Sequence, residues 1–285
     1  FVEGAAGIAM RFGIPQLVIG LTIVAMGTSA PEAAVSIAAA VKGNADITIG
    51  NIVGSNILNI LIILGLAASI VPIAVARSTV RIEIPFMIGV TALLFYQGRD
   101  GSISLADGGV LMVAFAVYMM YLYTMAMKSN VDSDLEEAGL PLGRCLLGAV
   151  GGLALIIAGS NVTVGAATSI ATYAGLSERF IGLTIVALGT SLPELFTSVA
   201  AARRGNADIA IGNIVGSNIF NILFVVGLSS LIIDIPFASA FNFDTYVALG
   251  AAVLLWLCVL RTQRLQRWAG ALMLVCYAAY LGYIL

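Results

Sequence analysis

Apolar residues run in blocks along most of this 285-residue chain, each block about as long as a membrane span and closed by a short polar break. A hydrocarbon core of about 30 Å takes roughly 20 helical residues to cross. The pattern predicts spans at 17–40, 48–71, 80–97, 106–127, 144–172, 180–202, 209–232, 243–260 and 267–285, with a shorter apolar stretch at 1–12 before them. Composition agrees, since 60% of the residues are hydrophobic and only 10% charged, which excludes an ordinary soluble domain. The three cysteines, Cys145, Cys258 and Cys276, lie in apolar segments without metal-ligand spacing and read as small packing residues.

The chain repeats itself. Gly20-Leu-Thr-Ile-Val-Ala-Met-Gly-Thr-Ser-Ala-Pro-Glu32 returns as Gly182-Leu-Thr-Ile-Val-Ala-Leu-Gly-Thr-Ser-Leu-Pro-Glu194, identical at eleven of thirteen positions. Gly43 to Leu61 returns as Gly205 to Leu223, identical at seventeen of nineteen, at the same offset of 162. Five crossings separate the copies, and an odd number reverses direction, so the halves are inverted repeats, an arrangement that places a substrate site at the midplane between them. Residue 1 aligns with Thr163, deep inside the span that begins near Arg144. The expectation is therefore an all-α, ten-helix integral membrane bundle of two inverted five-helix repeats with the first helix only partly present. The divisions are 1–127 for the first repeat, 128–143 for a connector and 144–285 for the second repeat.

On that model one side holds Arg11, Arg77, Arg81, Lys128, Arg144, Arg203, Arg204, Arg261, Arg264 and Arg267, while the other holds Lys42, Arg99 and Arg179. The positive-inside rule puts the first side in the cytoplasm, with both termini outside and the connector inside. The acidic stretch Ser129 to Glu137 within the connector is either a solvated linker or an attractor of cytosolic Ca2+.

Each repeat carries one glutamate, Glu32 and Glu194, in the middle of a long apolar span, where an ionised side chain costs several kcal/mol unless paired, hydrated or ion-bound. Pro31 lacks an N–H and collides with the carbonyl of Gly27, so the helix is expected to break between Gly27 and Pro31, and Gly189 and Pro193 repeat this. Freed carbonyls are tolerated at membrane depth only beside protein or a water-filled cavity, and they are good ligands for Na+ and Ca2+. Thr28 and Ser29 precede Glu32 by four and three residues, which sets their hydroxyls beside its carboxylate, and Thr190 and Ser191 do the same for Glu194. Asn51, Ser55 and Asn59 share one face of the next span, mirrored by Asn213, Ser217 and Asn221. These hard oxygen donors, with no histidine in the chain, suit Na+ or Ca2+ and argue against zinc, copper or iron.

Other repeated residues read more plainly. Gly50/Gly54 and Gly212/Gly216 fit close helix packing, with a ligand role for the backbone as the alternative. Asp46 and Asp208 read as N-caps at the interface, or as a loading site for cations. Glu3 aligns with Gly165 and stays outside the central site, and Glu83 has no acidic counterpart and lies near a helix end.

The duplicated Gly-Thr-Ser-Xaa-Pro-Glu, each followed by Gly-Asn-Ile-Val-Gly-Ser-Asn-Ile-Xaa-Asn, resembles the paired alpha-repeats of the cation/Ca2+ exchanger superfamily, most closely its prokaryotic Na+/Ca2+ exchangers. The resemblance covers essentially the whole chain. It implies an antiporter of the prokaryotic inner membrane that carries Ca2+ and Na+ as bound substrates, holds no resident cofactor and contacts lipid but no nucleic acid; its oligomeric state is left open, a monomer being compatible. It also implies that Glu32 and Glu194 are shared ligands, that Thr28, Ser29, Ser55, Asn59, Thr190, Ser191, Ser217 and Asn221 surround them, and that the carbonyls of Ala25 and Ala187 complete outer Na+ sites. Helices 1 and 6 are implied to slide across a rigid core. Some relatives, K+-dependent exchangers among them, carry aspartate where this chain has Asn221, so no K+ requirement is expected. The alternatives are H+/Ca2+ exchange on the same fold, an intramembrane enzyme using the two glutamates as acid and base, and a channel.

Overall fold

Proline and glycine set the punctuation of this bundle. In the computed structural model, which describes residues 1–42, 46–128, 141–173 and 187–284, helix α1 is Val2–Arg11 and Pro15 precedes α2, Gln16–Thr28. Ser29, with φ −80° and ψ 6°, ends α2, and Pro31 sits in the first turn of α3, Ala30–Val41, where a missing N–H needs no partner. The two segments meet at 50°. The break expected between Gly27 and Pro31 is there.

Next comes α4, a continuous run of Asp46–Leu58, the π-helical segment Asn59–Leu64 and Gly65–Ile70. Then α5 opens with the π-helical Thr79–Glu83 and continues as Ile84–Gln97, followed by α6, Leu105–Lys128. The second repeat contains α7, Leu142–Tyr173; α8, Ala187–Thr190; and α9, Leu192–Arg203. It continues with α10, made of Ala207–Phe220, π-helical Asn221–Val226 and Gly227–Ile232, then α11, Ala240–Leu260, and α12, Arg267–Ile284. Gly205, with φ 79°, closes α9: its N–H reaches Ala202 O and the Asn206 N–H reaches back to Ala201 O, a left-handed cap suited to a residue without Cβ.

Among the described residues seven helices are long and apolar enough to cross a membrane, and the bent pair α2–α3 makes eight. With α1 and the pair α8–α9, interrupted at Ser191, they give the ten positions of the expected bundle. The amino-terminal part of the predicted span 180–202, with Arg179, and residues 129–140 of the connector lie outside the described residues.

Inversion is visible in two short antiparallel ladders. Ile73 pairs with Leu265 and Ala74 with Arg264, while Ile103 pairs with Ile235 and Ser102 with Pro236. Adding 162 to Ile73 gives Ile235, and subtracting it from Leu265 gives Ile103, so one ladder is the other with the repeats exchanged. Each loop of one repeat is thereby tied to the opposite loop of the other.

Helices α4 and α10, each with a π-helical segment in its middle, occupy the centre: 78% of the apolar stretch of α4 and 94% of that of α10 are buried, against 11% for α7. Gly216 allows the close approach of α10 to α2, because a Cβ there would lie 2.7 Å from Leu21 O, and one at Gly212 would lie 3.1 Å from Leu17 O. The packing reading of this glycine pair holds, and a Cβ at Gly50 would lie 3.3 Å from the ring of Phe241. At the periphery α1 packs along α7, where a Cβ on Gly4 would lie 2.5 Å from Cys145 O. The exposed side of α6 presents Val113, Val117, Met120 and Tyr123.

Three smaller expectations meet the structure as follows. Asp208 is not an N-cap: Asn206 holds that position without a side-chain bond, and Asp208 sits one residue inside the helix, in the first turn. The side chain of Asp46 is outside the described residues. Glu3 stays away from the centre and pairs with Arg204 at 2.5 Å on the surface. None of the three cysteines is in a disulfide.

Candidate metal-ion site

The breaks at Ser29 and Ser191 each deliver a carboxylate to the middle of the bundle. Glu32 and Glu194 occupy the first turns of α3 and α9, where the helix dipole favours negative charge, and both are fully buried. They are close enough for their charges to oppose each other.

The hydroxyls around them cross over between repeats. Ser29 Oγ donates to Glu194 Oε1 at 2.8 Å, and Ser191 Oγ donates to Glu32 Oε1 at 3.0 Å. This corrects the expectation that Ser29 serves Glu32 and Ser191 serves Glu194. Residues three apart on a helix share a face, but the break at Ser29 and Ser191 interrupts the helix between each serine and the glutamate that follows it. Thr190 likewise lies against Glu32, and Thr28 and Ser217 against Glu194. Each carboxylate therefore takes a serine and a threonine hydroxyl from the other half of the molecule, and Glu194 takes Ser217 from its own.

Asn51 and Asn213 are spent elsewhere. Asn51 Nδ2 donates to Ser36 Oγ at 2.9 Å and to Glu32 O at 3.2 Å, and Asn213 Nδ2 donates to Ser198 Oγ at 2.9 Å and to Glu194 O at 3.4 Å. Thr28 Oγ1 lies 3.0 Å from Asn213 Oδ1 and 3.3 Å from Ala25 O. These amides brace the backbone that carries each glutamate. Ser36 and Ser198 were missed in the sequence, although they too repeat at the offset of 162.

The break does not free the carbonyl of Ala25, which accepts the Ser29 N–H at 2.9 Å and is also reached by Ser217 Oγ at 3.4 Å. Ala187 opens the short helix α8, and its side chain is outside the described residues.

What remains is a set of buried oxygens without donors among the described residues: Glu32 Oε2, Glu194 Oε2, Ser55 Oγ, Asn59 Oδ1 and Asn221 Oδ1. An unpartnered buried acceptor costs about 1–3 kcal/mol, more when charged. A cation that reached several of them at once would offset that cost, most of all at the two carboxylates. Oxygens of carboxylate, hydroxyl and amide are the donor types that Ca2+ and Na+ take. Glu32, Glu194, Thr28, Ser29, Thr190, Ser191 and Ser217 are thus brought together, and Ser55, Asn59 and Asn221 flank them on the two central helices.

The sequence matches the family described as sodium/calcium exchanger protein over residues 1–124 and 145–285. The chain belongs to that family. A putative antiporter, CaxA of Alkalimonas amylolytica, is 40% identical over 98% of this chain and 91% of its own length. The sodium/calcium exchanger MaX1 of Methanosarcina acetivorans is 32% identical over 99% of this chain and 92% of its own. Among solved structures, the sodium-calcium exchanger NCX_Mj superposes with a TM-score of 0.86 at 33% identity, covering 100% of this chain and 92% of that one. This exchanger-family chain is an integral membrane transporter of two repeats, and the enzyme alternative is set aside by these kinships.

Proposed function

We propose that this chain exchanges Na+ for Ca2+ across a prokaryotic inner membrane by alternating access, without a requirement for K+. The observation that carries the reading is the pair of buried carboxylates, each with one oxygen held by the other repeat's serine and one oxygen left without a donor. Together they bring a charge of −2, which one Ca2+ balances and which two or three Na+ also balance. Ions that compete for the same oxygens are coupled without any further device. In this reading Glu32 and Glu194 are the shared ligands. Thr28, Ser29, Ser55, Asn59, Thr190, Ser191, Ser217 and Asn221 contribute further oxygens, and the carbonyls of Ala25 and Ala187 contribute to outer Na+ sites.

The peripheral pair α1 and α7 moves across the buried α4–α10 core to expose the site to each side in turn. Their mutual packing and the low burial of α7 support this. In this reading both termini lie outside and the connector lies in the cytoplasm, which the distribution of basic residues supports. Neutral amides at Asn59 and Asn221 support independence from K+, and the hydroxyls beside the carboxylates support Na+ rather than H+ as the coupling ion.

The test is 45Ca2+ uptake into proteoliposomes driven by an outward Na+ gradient, with and without K+, compared with a pH gradient and with Glu32→Gln. Na+-driven uptake that ignores K+ and disappears in Glu32→Gln is expected. Uptake driven by the pH gradient alone would assign the coupling to H+, and a strict dependence on K+ would overturn the cation assignment at Asn221.

A further inference from the structure

Where α4 and α10 cross, four asparagines form a two-fold set of amide hydrogen bonds. Asn56 Nδ2 donates to Asn218 O at 3.2 Å, and Asn218 Nδ2 donates to Asn56 O at 3.2 Å. Asn221 Nδ2 donates to Asn56 Oδ1 at 3.1 Å, and Asn59 Nδ2 donates to Asn218 Oδ1 at 2.9 Å. Asn56 is 3% exposed and Asn218 1%. Neither belongs to the expected ligand set.

The direction of this relay is not free. A main-chain carbonyl only accepts, so Asn56 and Asn218 must turn their NH2 groups toward it. Their side-chain oxygens then point the other way and need donors. Asn221 and Asn59 meet that need with their own NH2 groups, which leaves Asn221 Oδ1 and Asn59 Oδ1 buried and without donors. Those two oxygens are the ends of the relay. An amide rotated by half a turn would present NH2 at the same place, and NH2 repels a cation.

We propose that Asn56 and Asn218 are positioning residues that fix the polarity of the ion site, using the main chain of the opposite repeat to turn the oxygens of Asn59 and Asn221 toward the cation. This deepens the exchange reading and rests on it. It also gives the π-helical segments a role: both begin at these end residues, Asn59 and Asn221. A π turn places one more residue in each turn and is frequent at functional sites.

The relay makes a prediction that a merely structural role does not. A carboxylate has oxygen on both sides and no polarity to set, so the contribution of Asn56 must vanish when Asn221 is replaced by aspartate. The experiment is Ca2+ binding to the purified full chain by calorimetry, read as a double-mutant cycle on Asn56→Ala and Asn221→Asp, with the mirrored cycle on Asn218→Ala and Asn59→Asp. Asn56→Ala alone is expected to weaken Ca2+ binding roughly five- to tenfold, the scale of one buried hydrogen bond. In the Asn221→Asp background the same change is expected to leave binding unchanged or tighter, because Asn56 Oδ1 otherwise faces a carboxylate. Equal losses in both backgrounds would reduce Asn56 to a packing residue and overturn the proposal, as would unchanged binding in Asn56→Ala alone. Failure of both aspartate variants to bind Ca2+ would also overturn it. If the unsubstituted protein binds no Ca2+, the exchange reading fails instead, so the two failures are distinguishable.

Discussion

Glu32 and Glu194 at the repeat boundary and Glu83 at the start of α5 are all buried in apolar helices, yet they keep different company. The first two are repeat partners, each bonded by a serine from the opposite half and bordered by buried oxygens without donors. Glu83 aligns with Thr245 and has no acidic partner. It accepts the hydroxyl of Tyr121, and Thr79, Ser78 and Tyr118 lie alongside. Those neighbours are hydroxyls able to donate, and all come from the first repeat. Glu83 Oε2 is also without a donor among the described residues, so neither burial nor an unpartnered oxygen separates the two cases. A lone carboxyl bonded by Tyr121 within one repeat reads as a brace between α5 and α6. Two opposed carboxylates bonded across the repeats, with Asn59 Oδ1 and Asn221 Oδ1 also lacking donors, ask for a cation.

Charge removal probes that contrast most strongly. Glu32→Gln or Glu194→Gln is expected to cut Na+-driven Ca2+ uptake by about a hundredfold or more, because a divalent ion would then sit at membrane depth with half its countercharge gone. Glu83→Gln, which keeps a group able to hydrogen-bond Tyr121, is expected to stay within about threefold of the parent rate, the scale of one ordinary hydrogen bond. Equal damage from Glu83→Gln would erase the distinction.

The crossed serines come next. Ser29→Ala and Ser191→Ala are each expected to raise the KM for Ca2+ about tenfold, since hydrogen bonds to a charged group contribute roughly 1.5–3 kcal/mol. Double-mutant cycles on the melting temperature should couple Ser29 to Glu194 and Ser191 to Glu32. Coupling of Ser29 to Glu32 instead would contradict the crossed arrangement.

A smaller effect is expected from Asn221→Asp. The added carboxylate gains a proton as pH falls and loses its charge, so uptake at pH 6 relative to pH 8 should drop by about threefold more than in the parent, a modest part of the tenfold that one pH unit can move a titration. A pH profile that overlays the parent's would show that position 221 does not face the ion.

Much of this was legible in the sequence because a duplication announces itself. The period of 162 marked both carboxylates, both prolines and both polar faces, and Pro31 located the helix break through its missing N–H and its clash with the carbonyl of Gly27. Partners across the repeat boundary were not legible. Helical spacing ranks neighbours along one chain segment, so it assigned Ser29 to Glu32, whereas the break at Ser29 turns that hydroxyl toward Glu194. Asn56 and Asn218 fell off the face defined by Asn51, Ser55 and Asn59, and nothing in a regular helical wheel shows a crossing helix or a π segment beginning three residues later. Their signal was present all the same, as identical amides at the repeat offset. The two small ladders were equally hidden, because two-residue strands leave no periodic trace.

The central claim is that both repeats build one shared site rather than one site each. Calorimetric titration of the purified chain with Ca2+ in Na+-free buffer tests it most directly. One Ca2+ per chain is predicted, with binding lost in Glu32→Gln and lost equally in Glu194→Gln. Two Ca2+ per chain, with one surviving in each single variant, would contradict it.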